Sequence, residues 1–153
     1  MQRHRERTTA IRRAVRRQTN RAREQAGLDS LTPNERLDEI ASDYAETLGH
    51  YGELEHDVDG TTPQERASSF SRVGENLNQE HALHYDPKRT ATATVRAWLD
   101  SDGHRQNLMR TTITRDGLGV YISGDMVYIC HLLADEPTIG QKITARVGSL
   151  LSD

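Results

Sequence analysis

Two β-rich runs near the end of the chain, GLGVYIS (residues 117–123) and MVYICHLLA (residues 126–134), are joined by Gly124-Asp125. A Gly-containing two-residue link between such runs is a hairpin signal. Almost everything patterned before it reads as helix. Residues 3–26 hold no Gly or Pro and are rich in Arg, Ala, Gln and Glu, which are good helix formers. Ile11, Val15, Gln18, Ala22 and Ala26 fall at helical spacing, and Gly27 is placed to cap the helix. A second helix shows Leu37, Ile40, Ala41, Tyr44, Ala45 and Leu48 on one face. Thr32, Pro33 and Glu35 look like its capping box, and Gly49 like its end. Thr62-Pro63 opens a short helix through Phe70, and residues 88–100 form another with Val95, Trp98 and Leu99 on one side. Residues 49–62 read as loop, residues 71–87 as irregular with a short strand, and residues 137–153 as weakly patterned. Helices first, one more helix, then a hairpin is an α+β order with a small antiparallel sheet.

Composition bounds the core. Apolar residues are 34% of 153, with one Phe and one Trp, so the interior is modest and built mainly from Leu, Ile, Val, Ala and Tyr. The mean hydropathy of −0.79 and a charged fraction of 28% describe a heavily charged surface. No run approaches the roughly 18 apolar residues of a membrane span. The N-terminus lacks the apolar stretch of a secretory signal, so the expectation is a cytoplasmic chain or a trimmed mature domain. Cys130 is the only cysteine, which excludes an internal disulfide.

The net charge of −3 hides an asymmetry. Residues 1–25 carry nine Arg against Glu6 and Glu24, a balance of +7 against −10 for the rest. Such a segment can bind phosphates of nucleic acid or anionic lipid. No aromatic interleaves the arginines for base stacking and no recognition motif is evident, so nucleic acid is not an expected partner. Packing of the basic segment along the acidic body is the simpler expectation.

Three polar islands carry candidate chemistry: EHDVDG with His56, VGENLNQ with Glu75, and SDGHRQNLM with His104. Imidazole and carboxylate are suited to Zn²⁺ or another divalent ion, and also to acid–base work near neutral pH. Spacing alone leaves surface or capping roles open for each. Glu75 is equally suited to accepting backbone N–H groups in a turn at Gly74. Ser101 fits an N-cap, and no partner in sequence marks it as a nucleophile. Asn76 and Asn107 read as loop braces, Arg105 as a solvated charge, Trp98 as core and Cys130 as buried and inert. His81 and His84 have i, i+3 spacing for a metal clip, but exposed loop histidines are the plainer reading. DVDG (residues 57–60) begins like a calcium loop, yet Gly60 comes too early and the closing Glu is missing.

Taken in order, these segments resemble the CAP superfamily of cysteine-rich secretory, antigen 5 and pathogenesis-related proteins (SCP domains). The likeness is to its disulfide-free prokaryotic branch. TNRAREQAGLDSL resembles the family's opening motif through Asn20, Arg23, Gly27, Leu28 and Leu31. LDEIASDYAETLGHYGELEH resembles the helix leading to a site histidine, His56; GENL (residues 74–77) supplies a site glutamate, Glu75. VRAWLDSDGHRQNLM supplies a second histidine, His104, and TRDGLGVYISGDMVYICHLLA resembles the closing hairpin. Ser101 stands where plant and animal members carry a second site glutamate. That substitution weakens the case for a tightly held metal.

The resemblance implies a three-layer α-β-α sandwich with a small antiparallel sheet. It divides the chain into a basic helical extension (residues 1–14), the CAP domain (15–135) and a C-terminal tail (136–153). The implied cleft holds His56, Glu75, His104 and Ser101, with Asp102-Gly103 turning the chain to aim His104. The family implies an extracellular or cell-surface binding module for a small ligand, lipid, peptide or weakly bound divalent ion, with no shared reaction and no required cofactor. The chain is therefore expected to be a non-enzymatic binding domain. One alternative is a metal-dependent hydrolase in which His56 and His104 hold the ion and Glu75 is the general base. Another is a polyanion binder acting through the Arg-rich helix.

Overall fold

A computed structural model describes residues 2–82 and 86–135 of the chain. The elements are α1 (Gln2–Gln25), β1 (Thr32–Pro33), α2 (Glu35–Tyr51), α3 (Pro63–Arg66), β2 (Ser71–His81), α4 (Pro87–Asp100), α5 (Asp102–Leu108), β3 (Ile113–Ser123) and β4 (Met126–Asp135). The strands form one sheet in the order β1-β3-β4-β2. β3 and β4 are the expected hairpin, with Tyr121 opposite Tyr128. β2 adds antiparallel to β4, with Glu75 opposite Leu132, and β1 adds parallel to β3.

Helices cover both faces, and β4 is buried along nearly its whole length. Leu77, Cys130, Leu132 and Ala134 pack with Leu37, Ala41, Tyr44 and Leu48 of α2. On the other face Leu118, Val127 and Ile129 pack with Ile11 and Val15 of α1 and with Ala91, Val95 and Trp98 of α4. Each fully buried aliphatic side chain stabilises the fold by roughly 1.5–3 kcal/mol. Trp98 is 1% exposed and donates its indole N–H to the Leu77 carbonyl at 2.9 Å, which ties α4 to β2. α1 runs unbroken through residues 14 and 15, and Ile11 is as much part of the core as Val15.

The GLG of β3 has a steric reason. A Cβ on Gly117 would lie 2.2 Å from the backbone of Leu37, and one on Gly119 would lie 2.2 Å from that of Ala41. α2 therefore lies directly on the β3 backbone. β1 is only two residues long, so it leaves the β3 edge unpaired beyond Asp116. Asp38 of α2 fills in, accepting from the Leu118 N–H at 2.9 Å.

Several elements differ from the sequence reading. Thr32 does not cap α2. Thr32 and Pro33 pair with Arg115 and Asp116, and Asn34 becomes the cap, accepting from Leu37 N–H at 3.0 Å. Gly49 does not end α2; the helix continues to Tyr51 and stops at Gly52, whose φ of 67° is left-handed. Gly49 makes room for the Tyr121 ring instead. α3 stops at Arg66, short of Phe70, although Thr62 and Glu65 do form a full capping box. Residues 71–81 form an eleven-residue strand. Its buried positions include the polar Glu75 and Asn76, held by hydrogen bonds, so the apolar alternation that marks a strand is missing. Finally, Asp102-Gly103 makes no sharp turn; both residues belong to α5 together with His104.

Candidate functional site

β2 is an edge strand of the sheet. Glu75 and Leu77 face the α2 side, whereas Asn76 and Asn78 face the α4 and α5 side. The loop after α2 delivers His56 to the first side, and α5 delivers His104 to the second.

Glu75 is 4% exposed, and its carboxylate is fully engaged. Oε1 lies 2.8 Å from Nδ1 of His56. Oε2 accepts from Arg66 at 2.5 Å and from the Cys130 thiol at 3.4 Å. The expectation of backbone N–H donors to Glu75 is replaced by these side-chain donors. Arg66 is itself held: its guanidinium stacks 3.4 Å over the Tyr44 ring and donates to the carbonyls of His56 and Thr61 at 2.9 and 2.7 Å. The Tyr44 hydroxyl donates to the Glu55 carbonyl and accepts from Val58 N–H. The loop carrying His56 is thus fixed from beneath by Tyr44 and Arg66.

A carboxylate only accepts, so Nδ1 of His56 carries the proton and Nε2 is the other edge of the ring. The hydrogen bond to Glu75 raises the His56 pKa above its ordinary value; burial opposes this, and the Glu75 charge adds to it. The side chain is 53% exposed.

His104 is half-buried on α5. Its Nδ1 lies 2.9 Å from Ser101 Oγ. Ser101 occupies the N-cap position of α5 but makes no side-chain cap bond, because its hydroxyl is turned to the imidazole. The His104 carbonyl accepts from Asn76 at 3.0 Å, and Asn107 donates to Asn76 Oδ1 at 3.1 Å. These two asparagines tie α5 to β2. Burial lowers the His104 pKa, and the positive charge of His56 lowers it further.

Glu75 thus meets His56 directly, while His104 meets Ser101 and joins β2 through its backbone. Arg66 was not foreseen, because a charged residue in a one-turn helix carries no distinguishing signal. Arg105 is exposed and pairs with Asp102 at 2.6 Å. Cys130 is buried, and burial beside Glu75 raises its pKa well above the usual thiol value. His81 is exposed, and His84 lies outside the described residues. No group of three His, Cys, Asp or Glu side chains is arranged to hold a metal among the described residues. The donor set does not fit a tight metal centre: Glu75 is occupied, which leaves two imidazole edges.

The sheet order and the covering helices make a mixed α+β fold. Residues 16–132 match the family described as CAP, the cysteine-rich secretory protein family, and the chain belongs to it. An uncharacterized protein of Borreliella burgdorferi is 27% identical over 95 residues, 62% of this chain and 59% of that relative's length. An outer surface protein of Borrelia burgdorferi superimposes with a TM-score of 0.72 at 23% identity, over 83% of this chain and 93% of its own. An extracellular SCP-domain protein of Bacillus anthracis gives 0.69 at 22% identity, over 84% of this chain and 41% of its own. NaASP2, solved with Zn²⁺, gives 0.54 at 14% identity, over 69% and 60% of the two chains. At these identities the structural matches establish the fold.

Proposed function

We propose that the chain is a non-enzymatic binding domain whose junction of β2, α5 and the His56 loop takes a small ligand or, weakly, a divalent ion. The observation that carries this reading is the engagement of both Glu75 oxygens by His56, Arg66 and Cys130. A general base needs a free carboxylate oxygen within reach of its water. Glu75 offers none, which argues against the hydrolase reading. The ring edges of His56 and His104 remain as donors. A carboxylate on Nδ1 is the usual support for an imidazole that ligates through Nε2, and the zinc present with NaASP2 is consistent with such use. With Ser101 in place of a carboxylate, affinity for Zn²⁺ is modest. The outer-surface and extracellular relatives support an extracellular or cell-surface location.

The test is isothermal calorimetry with Zn²⁺ at pH 7.5 and pH 5.5. Wild type binds weakly at the higher pH and less at the lower, because an imidazole must lose its proton to ligate. His56→Ala combined with His104→Ala removes the pH-dependent component. Equal binding by both proteins would place the ion elsewhere.

A further inference from the structure

The basic helix does not simply neutralise the acidic body. Only part of it turns inward: Arg16 pairs with Asp38 at 2.8 Å and approaches Asp116 at 3.6 Å, and the buried Arg23 donates to the carbonyls of Asp29 and Leu108. Arg13, Arg17 and Arg21 form an exposed i, i+4 row along α1. Lys88 and Arg96 form a second exposed row along α4, extended by Arg89. Among the described residues none of these six makes an ion pair. Between the rows lies a recess of about 640 Å³ bordered by Arg17, Arg21, Lys88 and Arg96, with Asp100 the single acid among the described residues on its rim. Gln18 donates to Thr92 across its floor at 3.1 Å. The acidic side chains Glu35, Glu39, Asp43 and Glu46 belong to α2, on the opposite side of the sheet. The molecule is therefore electrically two-faced.

We propose that the α1–α4 recess is a binding site for a linear phosphate chain lying between the two rows of cations. This rests on the recess alone and is independent of the His56–His104 reading. Arginine matches phosphate with paired N–H donors, and a chain in the recess meets both rows at once. Packed helices lie roughly 8–10 Å apart, so a nucleic-acid duplex is too wide to enter and touches only the rims. Among the described residues no aromatic borders the recess, so they give bases nothing to stack on. Among the described residues the exposed large apolar side chains are Tyr51 and Leu54, at and just beyond the end of α2 on the other layer, so the described part of this face offers no wedge for a bilayer.

The experiment is fluorescence polarisation with end-labelled inorganic polyphosphate over a salt series. Four bordering cations predict a log–log salt slope near −3, at roughly −0.7 per phosphate on a single strand. Arg17→Gln with Arg96→Gln takes one cation from each row and lowers the slope by about half. Adding Arg21→Gln and Lys88→Gln abolishes binding. Arg36→Gln, on the α2 face, leaves it unchanged. All five substituted positions are exposed, and circular dichroism checks that the variants stay folded. Absence of binding at low salt, undiminished binding by the double variant, or tighter binding to duplex DNA or anionic vesicles than to polyphosphate would each overturn the proposal.

Discussion

Two histidine–carboxylate pairs share one contact distance and differ in everything around it. His131 Nε2 meets Asp116 Oδ2 at 2.8 Å, and His56 Nδ1 meets Glu75 Oε1 at 2.8 Å. In the first pair both side chains are 0% exposed; in the second the carboxylate is 1% exposed and the imidazole 53%. The buried pair lies between β3 and β4, with Trp98 stacked on His131 at 5.6 Å and Arg16 3.6 Å from Asp116. The open pair joins a loop to an edge strand. One pair has no surface left for a ligand and serves the fold; the other keeps a ring edge toward solvent. Burial, rather than the pairing itself, separates a structural histidine from one available for binding.

The largest effect expected follows from breaking the buried pair. Asp116→Ala strands His131 without its acceptor in the interior, while Arg16 keeps Asp38. Removing one partner of a buried pair costs about 3–5 kcal/mol, which denaturant unfolding measures. A loss under about 1 kcal/mol, the range of an exposed pair, would erase the contrast.

Glu75→Gln acts on the open pair. The amide keeps the shape of the carboxylate but removes the charge facing Arg66. Stability falls by about 1–3 kcal/mol, the cost of leaving a buried polar group poorly matched. The His56 pKa falls as well, because its raised value comes first from the Glu75 hydrogen bond. An NMR titration that finds His56 unchanged in this variant would show that the contact does not form in solution.

The two pairs respond to pH with opposite signs. Burial pushes the Asp116 carboxyl up, but the hydrogen bond and charge of His131, together with Arg16, outweigh it and hold the pKa below the ordinary carboxylate range. Its contribution is present above the unfolded value near 3.9 and is lost as pH falls through the folded one. The raised His56 pKa contributes fully below about 6.5 and is lost as pH rises through its folded value. A plot of stability against pH therefore has an acid limb that Asp116→Ala removes and an alkaline limb that Glu75→Gln removes. The alkaline limb is the shallower, since solvent screens a half-exposed ring.

The same contrast explains what was legible in the sequence. α1, the α2 face, α4 and the hairpin are periodic in apolar residues, and the structure has all four. The family followed from ordered motifs, and His56 and Glu75 from the same source. The fold gives those motifs physical content: Arg23 and Asn20 hold the chain around residues 28–31 and 108–110, and GLG lets α2 touch β3. β2 was not legible as a long strand because Glu75, Asn76 and Asn78 owe their places to Arg66, His104 and Thr94, which are distant in sequence. The Asp116–His131 pair was missed for the same reason. A lone histidine in the apolar run YICHLL asks for a buried partner, but nothing local says which.

The smallest expected effect tests whether His104 belongs with the open pair. Ser101→Ala removes the hydroxyl from His104 Nδ1. The ring is only half-buried, so water replaces the lost contact, and Asn76 still holds the His104 carbonyl. Stability falls by about 0.5–1 kcal/mol, the net worth of one ordinary hydrogen bond. The ring is less well oriented, and Zn²⁺ affinity drops by about tenfold, the lower end of the effect of losing a support behind a ligating imidazole. Calorimetry on this variant distinguishes two cases. A drop in affinity at nearly constant stability makes Ser101 the counterpart of Glu75, each holding one imidazole by its inner nitrogen. A stability loss matching that of Asp116→Ala would place His104 with His131 among the structural histidines and leave His56 as the one ring edge this junction offers for binding.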